Sequence, residues 1–133
     1  MELAAEDRDA ITDLISMHGH LIDAGELDRL EELFTADVVY DVTDFGQAPL
    51  RGVAAIKQAA LALGEANPVA HHVTNIVLTP ATGDLVHARS KGIGVNADGT
   101  CGSAMYEDTI VRGPQGWRIT HRTVLARRKP LGA

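Results

Sequence analysis

An α+β fold with an antiparallel sheet is the architecture that this sequence predicts, and two observations carry the prediction. Apolar residues recur at helical spacing in the first half of the chain, whereas the second half reads as long strand-like segments. Turn sequences divide those segments at Thr82-Gly83-Asp84, Asn96-Ala97-Asp98-Gly99 and Gly113-Pro114-Gln115-Gly116. Helices followed by a meander is an α+β order, and long twisted strands would curl around the helices.

The first helix is expected from about Glu6 to Asp23, where Ile11, Leu14, Ile15, His18, Leu21 and Ile22 form one apolar stripe. Ala24-Gly25 breaks it. Leu27, Leu30, Leu33 and Phe34 mark a second, shorter helix, opened by the acidic Glu26 and Asp28. Val38 to Val42 reads as a strand, rich in β-branched and aromatic residues, and residues 44–49 read as loop. Gly52 precedes a third helix over about Val53 to Glu65, dominated by Ala, Leu and Ile. Strands follow near His71–Thr79, Leu85–Asn96, Gly102–Arg112 and Trp117–Arg128. No repeat, low-complexity tract or linker interrupts the pattern, so residues 1–133 are expected to form a single domain.

Composition narrows the function classes. The chain has 133 residues, enough to bury a core without staples, and is 45% apolar and 23% charged, as soluble globular proteins are. A formal charge of −6 argues against a nucleic-acid partner, because phosphates want a basic face. Arg127-Arg128-Lys129 is a short basic tail, better read as solvated. The single Cys101 has no cysteine partner for a disulfide or a zinc site. No apolar run approaches a membrane span, and the acidic start is unlike a signal peptide. A cytoplasmic protein with no membrane partner is expected.

The stretch His71-His72-Val73-Thr74-Asn75 carries the most chemistry. Strict alternation sends His71, Val73 and Asn75 to one strand face, and His72, Thr74 and Ile76 to the other. An imidazole on a buried face must find a hydrogen-bond partner or lose its charge. His71 is therefore either a satisfied core histidine or a pocket base. His18 interrupts the first helix's apolar stripe one turn from Leu14, Ile15 and Ile22, so its ring should point inward. Tyr40 shares a strand face with Val38 and Val42, where a hydroxyl either finds a core partner or faces a ligand. His121 shares a face with Trp117 and Ile119 and is expected in the core. The apolar Ile76 and Leu78 fall with Thr74 on the outer sheet face, which suggests a homodimer through the sheet.

Ala10-Ile11-Thr12-Asp13-Leu14-Ile15, Asp28–Phe34, Ala36-Asp37-Val38-Val39-Tyr40-Asp41, His71–Asn75 and Gly116-Trp117-Arg118-Ile119 follow one another in a telling order. In that succession the chain resembles the SnoaL-like branch of the nuclear transport factor 2-like superfamily. The resemblance implies a cone, a cystatin-like α+β barrel: a strongly curved antiparallel sheet wrapped around about three N-terminal helices, with an apolar pocket at one end. Superfamily members include dehydratases, isomerases, polyketide cyclases and subunits of ring-hydroxylating dioxygenases, so fold alone does not fix function.

By resemblance to scytalone dehydratase and a dehydrochlorinase of that superfamily, Asp23 and His71 match an Asp–His catalytic pair. On a regular helix Asp23 lies about 140° from His18, off the apolar stripe, so it reaches the pocket only if the helix ends or unwinds near Ala24-Gly25. The same resemblance implies substrate-binding roles for His18, Tyr106 and Asn75, and for Tyr40 only by its strand face, since the catalytic tyrosine of scytalone dehydratase stands in register with Val42; Asn75 either orients His71 or satisfies backbone groups. The implied activity needs no metal or organic cofactor: a lyase or isomerase that takes a proton from a small apolar, oxygenated molecule. The alternative is a ligand-binding or dimeric assembly protein of the same fold, since a cavity lined by Val, Ile, Leu and Met binds without chemistry.

Overall fold

The computed structural model describes residues 2–132; Met1 and Ala133, part of the expected single domain, lie outside the described residues. Helix α1 runs over Ala5–Asp23 and buries Ile11, Leu14, Ile15, His18 and Leu21, the stripe read from the sequence. Its C-terminus closes by two bonds, from Gly25 N–H to the Ile22 carbonyl (3.0 Å) and from Glu26 N–H to the Leu21 carbonyl (2.8 Å). This satisfies the last carbonyls of the helix and ends it cleanly after Asp23. In the first turn, the Asp7 carboxylate accepts from Trp117 Nε1–H at 3.1 Å and from Arg112, tying the helix to the sheet at that end.

The expected second helix is a 3-10 turn over Leu27–Glu32, because Leu33 and Phe34 are taken into the core and Phe34 starts a strand. Strand β1 covers Phe34–Asp41, β2 the two residues Leu50–Arg51, and α2 the span Val53–Leu63. Asn67 stops α2 short of Glu65: its Nδ2 donates to the carbonyls of Ala60 and Gly64, at 2.8 and 2.9 Å. Strands β3 (Ala70–Thr82), β4 (Leu85–Val95), β5 (Cys101–Gly113) and β6 (Gly116–Ala126) form the antiparallel meander. The sheet is curved and open, in the order β2-β1-β6-β5-β4-β3. Its one parallel contact joins β1 to β6, with Phe34 opposite Ile119 and Tyr40 opposite Arg122. The cystatin-like α+β architecture is thus present, with helices on the concave face.

Two bulges decide which side chains face the helices. In β3 the register shifts between Thr74 and Val77, around Asn75 at φ +55°. Asn tolerates this left-handed conformation better than most residues. The extra residue reverses the alternation, so Val73, Ile76 and Leu78 all pack against the core. Ile76 and Leu78 are therefore not on the outer face, and the argument for pairing copies through them does not hold. In β6, Thr109 lies opposite His121 and Ile110 opposite Ile119, leaving Thr120 as the inserted residue. His121 is consequently turned outward, next to His87 and Thr109, and Arg122 is turned inward.

Helix α1 meets β3 at Gly19, and the fit is tight. A Cβ at residue 19 would lie 2.5 Å from the His71 backbone oxygen. Strand backbone cannot yield as a flexible side-chain tip can. Gly19→Ala is therefore expected to lose about 1–3 kcal/mol through overpacking, although alanine gains roughly 1 kcal/mol of helix propensity. Urea denaturation measures the balance, and a variant as stable as the parent would show that helix and strand are not held this closely.

Candidate active site

The close approach at Gly19 builds the first part of the site. Asp23 lies one helical turn beyond Gly19, on the same face of α1, and so arrives beside the His71 backbone. Its carboxylate accepts twice from that residue: Oδ2 from the backbone N–H at 2.9 Å, and Oδ1 from ring Nδ1 at 2.6 Å. Asp23 reaches His71 without any unwinding, because the strand lies over the Gly19 side of the helix and not over the His18 stripe; it stands behind the imidazole and does not itself line the cavity. With Nδ1–H committed to a carboxylate, the neutral ring carries its free lone pair on Nε2. Both side chains keep some solvent contact, 25% for Asp23 and 17% for His71.

His71 opens on a cavity of about 460 Å³ between the helices and the concave sheet, lined also by His18, Tyr40 and Tyr106. Val42, Phe45, Leu63 and Pro68 supply apolar wall. The His18 ring is central, with centroids 6.0 Å from Tyr40, 6.2 Å from His71 and 6.4 Å from Tyr106. Gly92 makes room for Tyr106: a Cβ there would lie 2.5 Å from the ring and 2.7 Å from its hydroxyl. Asn75 is not at this site. The bulge leaves it exposed, outside the cavity lining, so it neither orients His71 nor touches a ligand there.

Asp108 and Arg122 form the element that sequence reasoning missed. Both side chains are fully buried, at 0% exposure, joined by bonds of 2.7 Å from Nε and 2.9 Å from Nη2. Arg122 also stacks on Tyr106, with its guanidinium carbon 4.5 Å from the ring centroid. Strict alternation hid the pair by sending His121 inward. Composition gave little signal, because Asp108 has Glu107 and Thr109 beside it and Arg122 has His121 and Thr123, so neither stood out from its strand.

Burial sets the protonation states here. His18 is 4% exposed, and burial, then the Arg122 charge, then His71, hold its pKa well below the ordinary value. Burial raises both phenols, Tyr40 to about 12, with Arg122 pulling the other way at each. At neutral pH the cavity therefore presents a neutral imidazole at His18 and two protonated phenols. Among the described residues, no group of three or more His, Cys, Asp or Glu side chains could hold a metal ion, and no helix is long and apolar enough to cross a membrane.

Residues 3–123 match the model of the SnoaL-like domain. The chain belongs to that family. A candidate aromatic ring hydroxylase from Novosphingobium aromaticivorans is similar over 96% of this chain and 94% of its own, at 30% identity and a TM-score of 0.81. A nuclear transport factor 2-like protein with a cystatin-like fold from the same organism is 32% identical over 96% of this chain and 84% of its own, with a TM-score of 0.76. A candidate scytalone dehydratase, also from that organism, covers 95% and 93% of the two chains at 18% identity and a TM-score of 0.75, a likeness of fold alone. No protein of curated function matches the sequence.

The state of His18 has a measurable consequence. A histidine whose folded-state pKa is depressed takes up its proton only on unfolding. Its stabilising contribution is complete above the unfolded value of about 6.5 and is lost as the pH falls below it. The loss should approach about 1.4 kcal/mol per pH unit. Thermal melts of the parent and of His18→Phe at pH 7.5 and 5.5 test this. The parent should lose more stability than the variant; equal losses would mean that His18 is not held neutral.

Proposed function

We propose that this protein is a cofactor-independent lyase or isomerase, acting on a small, mostly apolar, oxygenated molecule with His71 as general base. The observation that carries the reading is the double acceptance by Asp23 from the His71 backbone and ring. That contact fixes the tautomer and stabilises the imidazolium which forms when Nε2 takes a proton.

The chemistry can be followed atom by atom. Nε2 removes a proton from a carbon next to a carbonyl, and the electron pair moves toward the carbonyl oxygen. Tyr40 and Tyr106, protonated at neutral pH, donate hydrogen bonds to that oxygen as charge gathers on it. Neutral His18 contributes polarity but no cation, so the site suits a charge delocalised on oxygen better than a departing halide. The imidazolium then returns its proton: to another carbon in an isomerisation, to the new alkoxide oxygen when the enolate carbon attacks a second carbonyl and closes a ring, or to a hydroxyl that departs as water while the enolate pair forms the new double bond. Polyketide- or steroid-like molecules have the apolar body and the oxygenation that this cavity suits.

A ligand-binding protein without turnover is the second reading, favoured by the apolar wall of Val42, Phe45, Leu63 and Pro68. The two separate on one experiment. With a substrate identified from material retained through purification, His71→Ala should lower kcat/KM by roughly 10²–10⁴-fold. Asp23→Asn should lower kcat with KM little changed, because it disturbs the base and not the apolar contacts. Undiminished turnover by His71→Ala would remove the base. Binding with no product from the parent protein would favour the second reading.

A further inference from the structure

A buried ion pair on the concave face needs a reason. Taking Asp108 and Arg122 out of water costs several kcal/mol per ion, and an apolar pair of similar volume often serves stability as well. Both are at 0% exposure, yet Nη1 of Arg122 has no hydrogen-bond partner. A guanidinium used only to fill and staple the core would be expected to spend that donor.

Its surroundings suggest where the charge acts. Arg122 lies opposite Tyr40 across the parallel β1–β6 contact, beside Asp108 on β5, and against the face of Tyr106. Both tyrosines line the cavity, and Gly92 lets the Tyr106 hydroxyl approach its wall. The Asp108 carboxylate grips Nε and Nη2 from the other side. We infer that the Asp108–Arg122 pair is a positioning device: it fixes positive charge behind Tyr40 and Tyr106, so that their hydroxyls grip a ligand oxygen on which negative charge gathers. Ligands of that class are enolisable ketones and phenols. The effect of Arg122 on the phenols exceeds the opposing effect of Asp108 at both tyrosines.

This inference rests on the reading of the cavity as the substrate site, but not on His71 being a base. The probes are 2-naphthol and naphthalene, two-ring molecules that differ by one hydroxyl. Fluorescence titration of the intact protein should show 2-naphthol bound more tightly by about tenfold or more, the effect of a hydrogen bond strengthened by charge. The double variant Asp108→Leu/Arg122→Met removes both charges together and leaves neither buried alone. It should bind naphthalene as the parent does and lose the preference. A preference retained in the folded double variant overturns the inference, as does one lost in His71→Ala, which would assign the hydroxyl to His71.

If the double variant does not fold, Tyr40→Phe/Tyr106→Phe decides, since it removes both hydroxyls and keeps the ring that stacks on Arg122. It should bind naphthalene as the parent does and lose the preference for 2-naphthol by about tenfold. A preference retained by that variant overturns the inference. Failure of both probes to bind the parent would sink the cavity as a ligand site and this inference with it. Binding of both without preference would sink the inference alone.

Discussion

The distance between α1 and β3 governs the rest of the site. At Gly19 the helix lies against the strand so closely that the His71 carbonyl occupies the space of a missing Cβ. One turn later on the same face, Asp23 is brought within direct reach of both the backbone and the ring of that residue. A longer separation would put water between carboxylate and imidazole, and the ring would be free to turn. The glycine costs roughly 1 kcal/mol of helix stability, and what it secures is a histidine with a single orientation. The packing of the helix and the orientation of the ring are set here by the same contact.

Much of this was legible in the sequence, and the parts that were not share a cause. Helix α1, the position of α2 and the four long strands follow from periodicity and turn chemistry, both local properties. His18 faces inward because 3.6-residue spacing puts it on the stripe. What periodicity could not give were the two bulges, near Asn75 and at Thr120, since an inserted residue is settled by the partner strand and the curvature of the sheet. Each bulge reverses the parity of everything beyond it. One removes Asn75 from the site and turns Ile76 and Leu78 inward; the other exchanges His121 for Arg122. The two-residue β2 has no period to read at all. The direction of Asp23 was legible only through Gly19, a lone glycine inside a helical pattern, which commonly marks close packing.

The concave face is divided by polarity. Toward the Trp117 end it is filled by Ile11, Val86, Ile110 and Ile119, all buried, and Phe34 marks the border, its ring 6.0 Å from those of His18 and Tyr40. Toward the other end come Arg122, Asp108, Ser90 and His18, buried and polar, and then the cavity. Three of these carry atoms without partners: His18 Nδ1, Ser90 Oγ and Arg122 Nη1. Each such atom costs about 1–3 kcal/mol against a satisfied alternative. Unsatisfied groups scattered through a core would be a defect. Here they are gathered toward one end, with His18 at the cavity wall and Ser90 and Arg122 in the layer behind Tyr106.

The two inward histidines have different neighbours. Their rings are 6.2 Å apart, and a proton on one disfavours a proton on the other. His71 has a carboxylate on Nδ1 and some solvent contact; His18 is sealed from water and feels the Arg122 cation. A proton on His18 is therefore opposed by burial, by Arg122 and by His71. The imidazole proposed as the base is thus the one that a carboxylate reaches, and Gly19 decides that reach.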